Sequence, residues 1–237
     1  MAKRPGNSSL SNRVREAITA GLSRTYTEAK VDPAKYLLRI RRAHYLPIHS
    51  FEDMFAVPQE VVDKLADQTI SAAIKIAVLE GAGLGMGGFL TVIPDMAILS
   101  AIVMRLIQKL SLLYGFEYST DDEIATLWIA AASAAGLELG RDFVEKQAVE
   151  KLVPRIIERI AVRMSAEVAE TWASRLIPIL SGAIGGGLNY YFVRGWARRA
   201  KRHFRERHLE VRAQVRFNAA LNPRKAVALP LNPRTNP

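Results

Sequence analysis

The sequence of 237 residues predicts an all-α protein, a single helical bundle domain of about eight helices with glycine-rich apolar helices at its centre. Apolar residues recur at the spacing of a helix face along most of the chain, and no segment has the apolar–polar alternation of a half-buried strand. Residues that favour helix starts and helix ends punctuate these segments. The length suits one domain with a substantial core.

Two basic helices and a turn are predicted at the N-terminal end. Residues 12–30 have the pattern of a basic amphipathic helix. Asp32 followed by proline is a strong start for a helix over residues 33–44, because aspartate accepts from free N–H groups and proline suits the first helical position. Ser50, with Asp53 in the capping-box position, predicts a short helical turn.

Two long helices on either side of a glycine cluster are predicted for the middle of the chain. Pro58 opens an amphipathic helix, which should end near Gly81. Pro94 permits a new helix over residues 95–114, and Gly115 supplies its stop.

The C-terminal half predicts four more helices. Thr120 and Glu123 have the spacing of a capping box for the first of them. An amphipathic segment follows, which we expect to bend at Pro154 and to give way to a further helix that starts at Ser165. From residue 189 onward the helical pattern continues and becomes strongly basic.

Positive charge is concentrated at the two ends of the chain. Residues 1–45 carry ten Lys/Arg against three Asp/Glu, and residues 194–237 carry twelve against two, whereas the middle of the chain is net acidic. Charge and composition together predict a basic, partly helical N-terminal extension (1–30), a helical domain (31–212) and a disordered proline-rich tail (213–237).

Two long tracts combine apolar residues with glycine. The first covers residues 81–104 and the second residues 176–193. Their glycines allow helices or a ligand to approach the backbone closely. Neither tract is a clean membrane span, because Pro94-Asp95 interrupts the first and the second is short. The tracts are consistent with a buried core, with a hairpin that dips into a membrane or, less well, with a spanning helix.

Polar residues at the edges of these tracts are candidates for lining a glycine-rich cavity that holds a lipid or another apolar ligand. A charge in apolar surroundings must be paired or face a polar cavity. Asp95 can serve as a simple helix cap or as the polar anchor of such a cavity. The candidate residues are Glu80, Gly81, Gly83, Gly85, Asp95, Arg105, Gln108, Asn189 and Tyr190.

A polybasic stretch directly follows the second apolar tract, with aromatic residues at the junction. This arrangement suits an anionic lipid surface, so a membrane lipid or a membrane protein is the expected partner. The alternatives are solvated helix faces and nucleic-acid binding of low specificity, for which no motif is present. The candidates for contact with the anionic surface are Arg194, Arg198, Arg199, Lys201, Arg202 and Arg205.

The sequence matches no catalytic template. It has no cysteine, no HExxH or GxSxG motif and no phosphate-binding loop, and the GxGxxG match in GLGMGG follows a helical pattern rather than a strand. No cofactor, metal site or catalytic residue is therefore predicted. A hydrolase that uses Asp95 with Glu80, or Glu138 with Asp142, remains the enzymatic alternative.

The order of several motifs is similar to that of the EcsC family. The motifs are EGAGLGMGG, a Pro-Asp step, RLIQKLSLLYGFE, AASAAG and IPILSGAIGGGLNYYF, and the resemblance covers roughly residues 33–208. It implies a mostly helical bacterial protein on the cytoplasmic side of the membrane, with a poorly defined activity. The lack of a secretory signal pattern at the N-terminus agrees with this location. The motif positions carried over are Glu80, Gly81, Gly83, Pro94, Asp95, Arg105, Gln108, Tyr114, Gly115, Asn189 and Tyr190.

Overall fold

The computed structural model describes residues 6–27, 30–84, 92–139, 148–173 and 182–221. Within these ranges the chain forms seven α-helices, one short 3₁₀ helix and no strand, which confirms the all-α prediction. The helices are α1 (Gly6–Thr27), α2 (Pro33–His44), the 3₁₀ helix (Glu52–Phe55), α3 (Gln59–Leu84), α4 (Val92–Leu113), α5 (Asp121–Ala134), α6 (Val149–Ala173) and α7 (Gly182–Leu221).

The centre of the bundle consists of α3, α4 and α7. Tyr114, directly after α4, contacts Asp63 near the start of α3. Asn189, near the start of α7, contacts Ala77 late in α3. These pairs make α3 antiparallel to both other helices, so the end of α3 lies beside the starts of α4 and α7.

Helix α1 is part of the core, although the sequence sets residues 1–30 apart as an extension. Val14, Ile18 and Leu22 are buried. Gly21 brings the backbone of α1 against α4, because a Cβ atom at this position would lie 2.2 Å from Ser100 Oγ. Only glycine fits so close an approach.

The predicted helix boundaries with capping residues agree with the structure. Asp32 accepts from the backbone N–H of Lys35 at 3.1 Å, and Thr120 forms a complete capping box with Glu123. Gly115 ends α4 with a φ of 87°, in the left-handed region that favours glycine.

Several helix boundaries differ from the sequence prediction. Helix α6 runs without a break through Ser165, whose hydroxyl donates to the carbonyl of Val162 in the preceding turn. Serine satisfied in this way does not start a new helix. Helix α4 begins at Val92, with Pro94 in its first turn, where its missing N–H costs nothing. Helix α3 continues through Gly81 to Leu84.

The long C-terminal helix extends beyond the domain end that the sequence predicts. Residues 213–221 are helical and form the last turns of α7. The rest of the predicted tail, residues 222–237, lies outside the described residues.

One helix in the described part of the chain is long and apolar enough to cross a membrane. It covers Asp95–Leu113, with a mean hydropathy of 1.7, and 67% of this stretch is buried by its neighbours in the bundle. A central core helix has the same properties, so the finding is weak evidence for a span.

Candidate functional site

The crossing of α3 and α7 depends on a glycine from the second apolar tract. A Cβ atom at Gly186 would lie 3.0 Å from the carbonyl oxygen of Val78 and 3.3 Å from its Cγ1 atom. Gly81, one turn further along α3, is also buried. The small residues therefore allow a close helix crossing at this end of the bundle.

A buried amide joins the three central helices beside this crossing. The Asn189 side chain is 2% exposed, and its Nδ2 donates to the carbonyl oxygen of Ala77 at 3.0 Å and to Asp95 Oδ1 at 3.1 Å. Both hydrogens of the amide group are thus used. The structure brings together Asn189 and Asp95, which are 94 residues apart in the chain.

The carboxyl group of Asp95 lies in a half-buried position in the first turn of α4. Burial raises the pKa of Asp95, and the negative charge of Glu80 raises it further, while the hydrogen bond from Asn189 opposes both effects. Asp95 lies in the first turn of α4, where the helix dipole favours a carboxylate, and its described hydrogen-bond partner is Asn189.

Large apolar side chains are exposed at this end of the bundle. Leu79 is 73% exposed, Tyr191 68% and Ile76 50%. Each lies within two residues of the contact between Ala77 and Asn189, so the three belong to one end of the bundle. We call Ile76, Leu79 and Tyr191, with the helix ends that carry them, the apolar tip.

The predicted glycine-lined cavity is not among the surface depressions that the structure describes. One depression lies along α3, between Glu60 and Lys75, and another lies on α2, between Lys35 and Ala43. Neither is lined by glycine. Gly83 belongs to the last turn of α3, and Gly85 lies outside the described residues.

Two further candidates on α4 face different surroundings. Gln108 is buried, and its Oε1 accepts from the backbone N–H of Val31 at 3.0 Å, so this side chain fastens the segment between α1 and α2. Arg105 is exposed. The two residues are one turn apart, one buried and the other exposed.

Four of the six candidate basic residues on α7 have hydrogen-bond or ion-pair partners within the protein. Arg194 donates to Tyr190 Oη at 2.8 Å, and Arg199 donates to the carbonyl oxygen of Ala134. Lys201 and Arg205 form ion pairs with α3, which are described below. Arg198 and Arg202 are exposed and form no hydrogen bond or ion pair with the described residues.

The opposite end of the α3–α7 contact is polar. Asp63 accepts from Tyr114 Oη at 2.8 Å, from Gln59 Nε2 at 3.1 Å and from Arg205 Nε at 2.9 Å. Lys201 Nζ lies 2.6 Å from Asp67 Oδ1. Burial would raise the pKa of Asp63, but the hydrogen bonds from Arg205, Tyr114 and Gln59 outweigh it and lower the pKa.

His208 completes this polar end. It is fully buried, its Nδ1 donates to the carbonyl oxygen of Tyr114 at 2.8 Å, and its ring stacks on Phe55. Burial lowers the pKa of His208. We call this region the polar base; its members are Asp63, Asp67, Tyr114, Lys201, Arg205 and His208.

Sequence reasoning missed the polar base as a group, although it named three of its members for other reasons. Arg205 and Asp63 are 142 residues apart, so no local spacing connects them. Tyr114 was named through the family resemblance. Arg205 and Lys201 were recognised as basic, but their carboxylate partners could not be read from the sequence.

No metal site is found in the parts of the chain that the structure describes, where no three His, Asp or Glu side chains come together. Of the second carboxylate pair, Glu138 is exposed and Asp142 lies outside the described residues. The second pair therefore has no described geometry that would support acid–base chemistry.

Comparisons with known proteins agree with the motif resemblance. The model of the EcsC protein family matches residues 3–209, which include α1. A curated relative, Protein EcsC of Bacillus subtilis (strain 168), is 29% identical over 145 residues, which cover 59% of this chain and 60% of the relative. The chain thus aligns with less than two thirds of that protein. No solved structure matches.

Proposed function

This chain belongs to the EcsC protein family, and from that premise we propose that it is a non-enzymatic, membrane-associated protein that binds lipid at the inner face of the membrane. In this proposal the apolar tip enters the interfacial layer of the bilayer, and basic residues of α7 contact anionic headgroups. Asp95 and Asn189 lie behind the tip and hold the three helix ends together.

The observation that carries the proposal is the exposure of Ile76, Leu79 and Tyr191 at one end of the bundle. Removal of apolar surface from water contributes about 25 cal/mol per Å². Clustered exposed apolar side chains mark interaction sites more often than isolated ones do. A tyrosine at the same end of the bundle as exposed aliphatic residues suits the membrane interface, where its ring is buried and its hydroxyl group stays hydrated.

The charges near the tip suit an anionic surface. Arg198 follows Tyr191 by seven residues, which is about 10 Å along a helix. A basic side chain close to an anionic leaflet contributes about 1 kcal/mol, and the effect decays within a Debye length of about 8 Å. Arg198 is therefore better placed than Arg202 to contact the anionic surface, because Arg202 lies one turn further from the tip.

The packing of α4 favours shallow insertion over a complete span. Two thirds of its apolar stretch is already covered by protein, and a span would require α1, α3 and α7 to leave it. The hydrogen bonds of Asn189 would also be lost. An interfacial tip keeps the bundle intact and buries only the side chains that are exposed.

Co-sedimentation with vesicles of phosphatidylcholine, with and without phosphatidylglycerol, tests the proposal. We expect Leu79→Glu to weaken binding to the anionic vesicles by at least about tenfold, because a carboxylate replaces a side chain that enters the interface. Phe217→Glu is the matched control, since Phe217 is 64% exposed but lies at the other end of α7. Equal binding of Leu79→Glu and the unchanged protein, or an equal loss in both variants, would overturn the proposal.

A further inference from the structure

A tyrosine and an arginine on α7 form a pair that directly adjoins the apolar tip. The rings of Tyr191 and Tyr190 are in edge-to-face contact, with their centroids 5.4 Å apart. Arg194 Nη1 donates to Tyr190 Oη at 2.8 Å, and the guanidinium group also lies over the Tyr190 ring, 5.5 Å from its centroid. The hydrogen bond and the cation–π contact together hold the guanidinium group in a defined position beside the tip.

This pair retains hydrogen-bond donors for a ligand. Tyr190 Oη accepts from Arg194, so its own O–H group is available to donate, and the guanidinium group of Arg194 has further N–H groups. Arg198 follows Arg194 by four residues, which places both on one side of the helix. Neither arginine forms an ion pair with a carboxylate of the described ranges, including Glu80 at the end of α3.

The side of α7 that carries these donors is open. Gly187 precedes Arg194 by seven residues, or two turns, so the two residues lie on one side of the helix. A Cβ atom at Gly187 would meet no described atom within 4 Å. Asn189, which binds Asp95, is buried and points almost opposite to Gly187, because two residues correspond to about 200° around the helix. A ligand can therefore approach Arg194 without contacting the carboxylate of Asp95.

We propose that Tyr190, Arg194 and Arg198 form a binding site for the phosphate monoester headgroup of a phospholipid, as in phosphatidic acid. A phosphate monoester carries about −1.5 to −2 charges near pH 7 and three terminal oxygens. Two guanidinium groups and a hydroxyl donor match this charge and these acceptors. The phosphodiester of phosphatidylglycerol has a single charge and fewer terminal oxygens, so it binds the same donors more weakly. We call these three residues the headgroup site.

The position of the headgroup site along α7 suits a lipid in the bilayer. The inference rests on the proposed function, because it places the tip in the interfacial layer. Arg194 and Arg198 follow Tyr191 by three and seven residues, which correspond to about 5 and 10 Å along the helix. The headgroup layer of one leaflet is about 5–8 Å thick. A tip at the edge of the hydrocarbon therefore brings Arg194 to the level of the phosphates and Arg198 to the outer edge of that layer.

Co-sedimentation of the full chain with two kinds of phosphatidylcholine vesicles tests the headgroup site. One kind contains phosphatidic acid and the other phosphatidylglycerol, in amounts that give equal zeta potentials. We expect the unchanged protein to bind the phosphatidic acid vesicles at least about fivefold more tightly. Tyr190→Phe keeps the ring and Arg194→Lys keeps the charge, and each should reduce this preference to less than about twofold. The matched controls, Tyr191→Phe and Arg202→Lys, should retain the preference.

The outcomes separate this inference from the proposed function. Tyr190→Phe and Arg194→Lys should bind phosphatidylglycerol vesicles as the unchanged protein does, which also shows that both variants fold. Equal binding of the unchanged protein to both kinds of vesicle, or an equal loss of preference in Tyr190→Phe and Tyr191→Phe, would contradict the headgroup site and leave the proposed function standing.

A competition experiment distinguishes the lipid from a soluble phosphate. Glycerol 3-phosphate carries the same phosphate monoester without acyl chains. At a concentration equal to that of the accessible phosphatidic acid, it should not displace the protein from the vesicles. Displacement at that concentration would identify a soluble phosphate as the ligand and overturn the inference. Absence of binding to both kinds of vesicle would overturn the proposed function, and this inference with it.

Discussion

Helices α3 and α7 meet in two different ways at the two ends of their contact. At the polar base they are joined by ion pairs, from Lys201 to Asp67 and from Arg205 to Asp63. At the apolar tip they are joined by close backbone approach at Gly186 and by one buried amide. Directional bonds set the relative positions of the two helices at the base, whereas small residues let them pack closely at the tip.

The two ends therefore differ in what they contribute: the base stabilises the fold, and the tip offers a surface for binding. The base buries a tyrosine and a histidine and provides each with a partner. The tip leaves three large apolar side chains exposed. A surface that leaves apolar side chains exposed gives up the stabilisation that their burial would add, so the tip is the better candidate for binding.

The largest effect on stability is expected at the base. Asp63→Ala removes the acceptor of Arg205 and leaves the buried hydroxyl group of Tyr114 without its partner. An unpaired buried donor and the loss of charged hydrogen bonds should together lower the free energy of unfolding by about 2–3 kcal/mol. Urea denaturation at pH 7 measures this change.

The matched control for this variant is Asp67→Ala. The Asp67 side chain is 64% exposed and forms one ion pair, with Lys201. Exposed ion pairs contribute about 0–1 kcal/mol, so Asp67→Ala should be nearly neutral. Equal losses of stability in the two variants would mean that the net charge of the polar base, rather than the Asp63 hydrogen bonds, stabilises the protein.

The tip offers a comparison between two adjacent glycines. Gly186→Ala places a methyl group 3.0 Å from the carbonyl oxygen of Val78 and should lower the free energy of unfolding by about 1 kcal/mol. Gly187→Ala meets no atom within 4 Å and should raise it by about 0.5–1 kcal/mol, because alanine favours the helix. The same denaturation measurement applies. Stabilisation by both substitutions would show that the helices do not depend on close approach at the tip.

Local patterns in the sequence predicted the parts of this structure that depend on nearby residues. The caps at Asp32 and Thr120 act within three residues of their position, so their patterns are visible in the chain. The stop at Gly115 is equally local, because it depends on a backbone angle of one residue.

The missed features depend on contacts between distant segments. Gly21 is a single glycine in a basic helix, and nothing around it indicates that α4 passes within contact distance. The hydrogen bond between Tyr114 and Asp63 likewise joins two segments that come together only when the chain folds. Asn189 and Asp95 were selected because they border apolar tracts, but their mutual hydrogen bond could not be derived from spacing.

We also predict a pH dependence that originates at the base. His208 has a lowered pKa in the folded protein, because burial disfavours its charged form and the positive charge of Arg212 adds to this. The unfolded chain therefore binds a proton more readily, with a histidine pKa of about 6.5. The free energy of unfolding should be highest above that pH and should fall as the pH decreases below it, by about 1 kcal/mol between pH 7 and pH 5.5.

A second histidine on α7 provides the comparison that assigns this pH dependence. Burial also lowers the pKa of His203, so its contribution has the same sign, but His203 is only partly buried whereas His208 is fully buried. His208→Phe keeps a ring to stack on Phe55 and should remove more of the pH dependence than His203→Gln does. Urea denaturation between pH 5.5 and pH 7 stays above the range in which carboxylates with an ordinary pKa titrate. A larger change in His203→Gln would place the pH-sensitive group outside the polar base, and the base would then differ from the tip only in its ion pairs and hydrogen bonds.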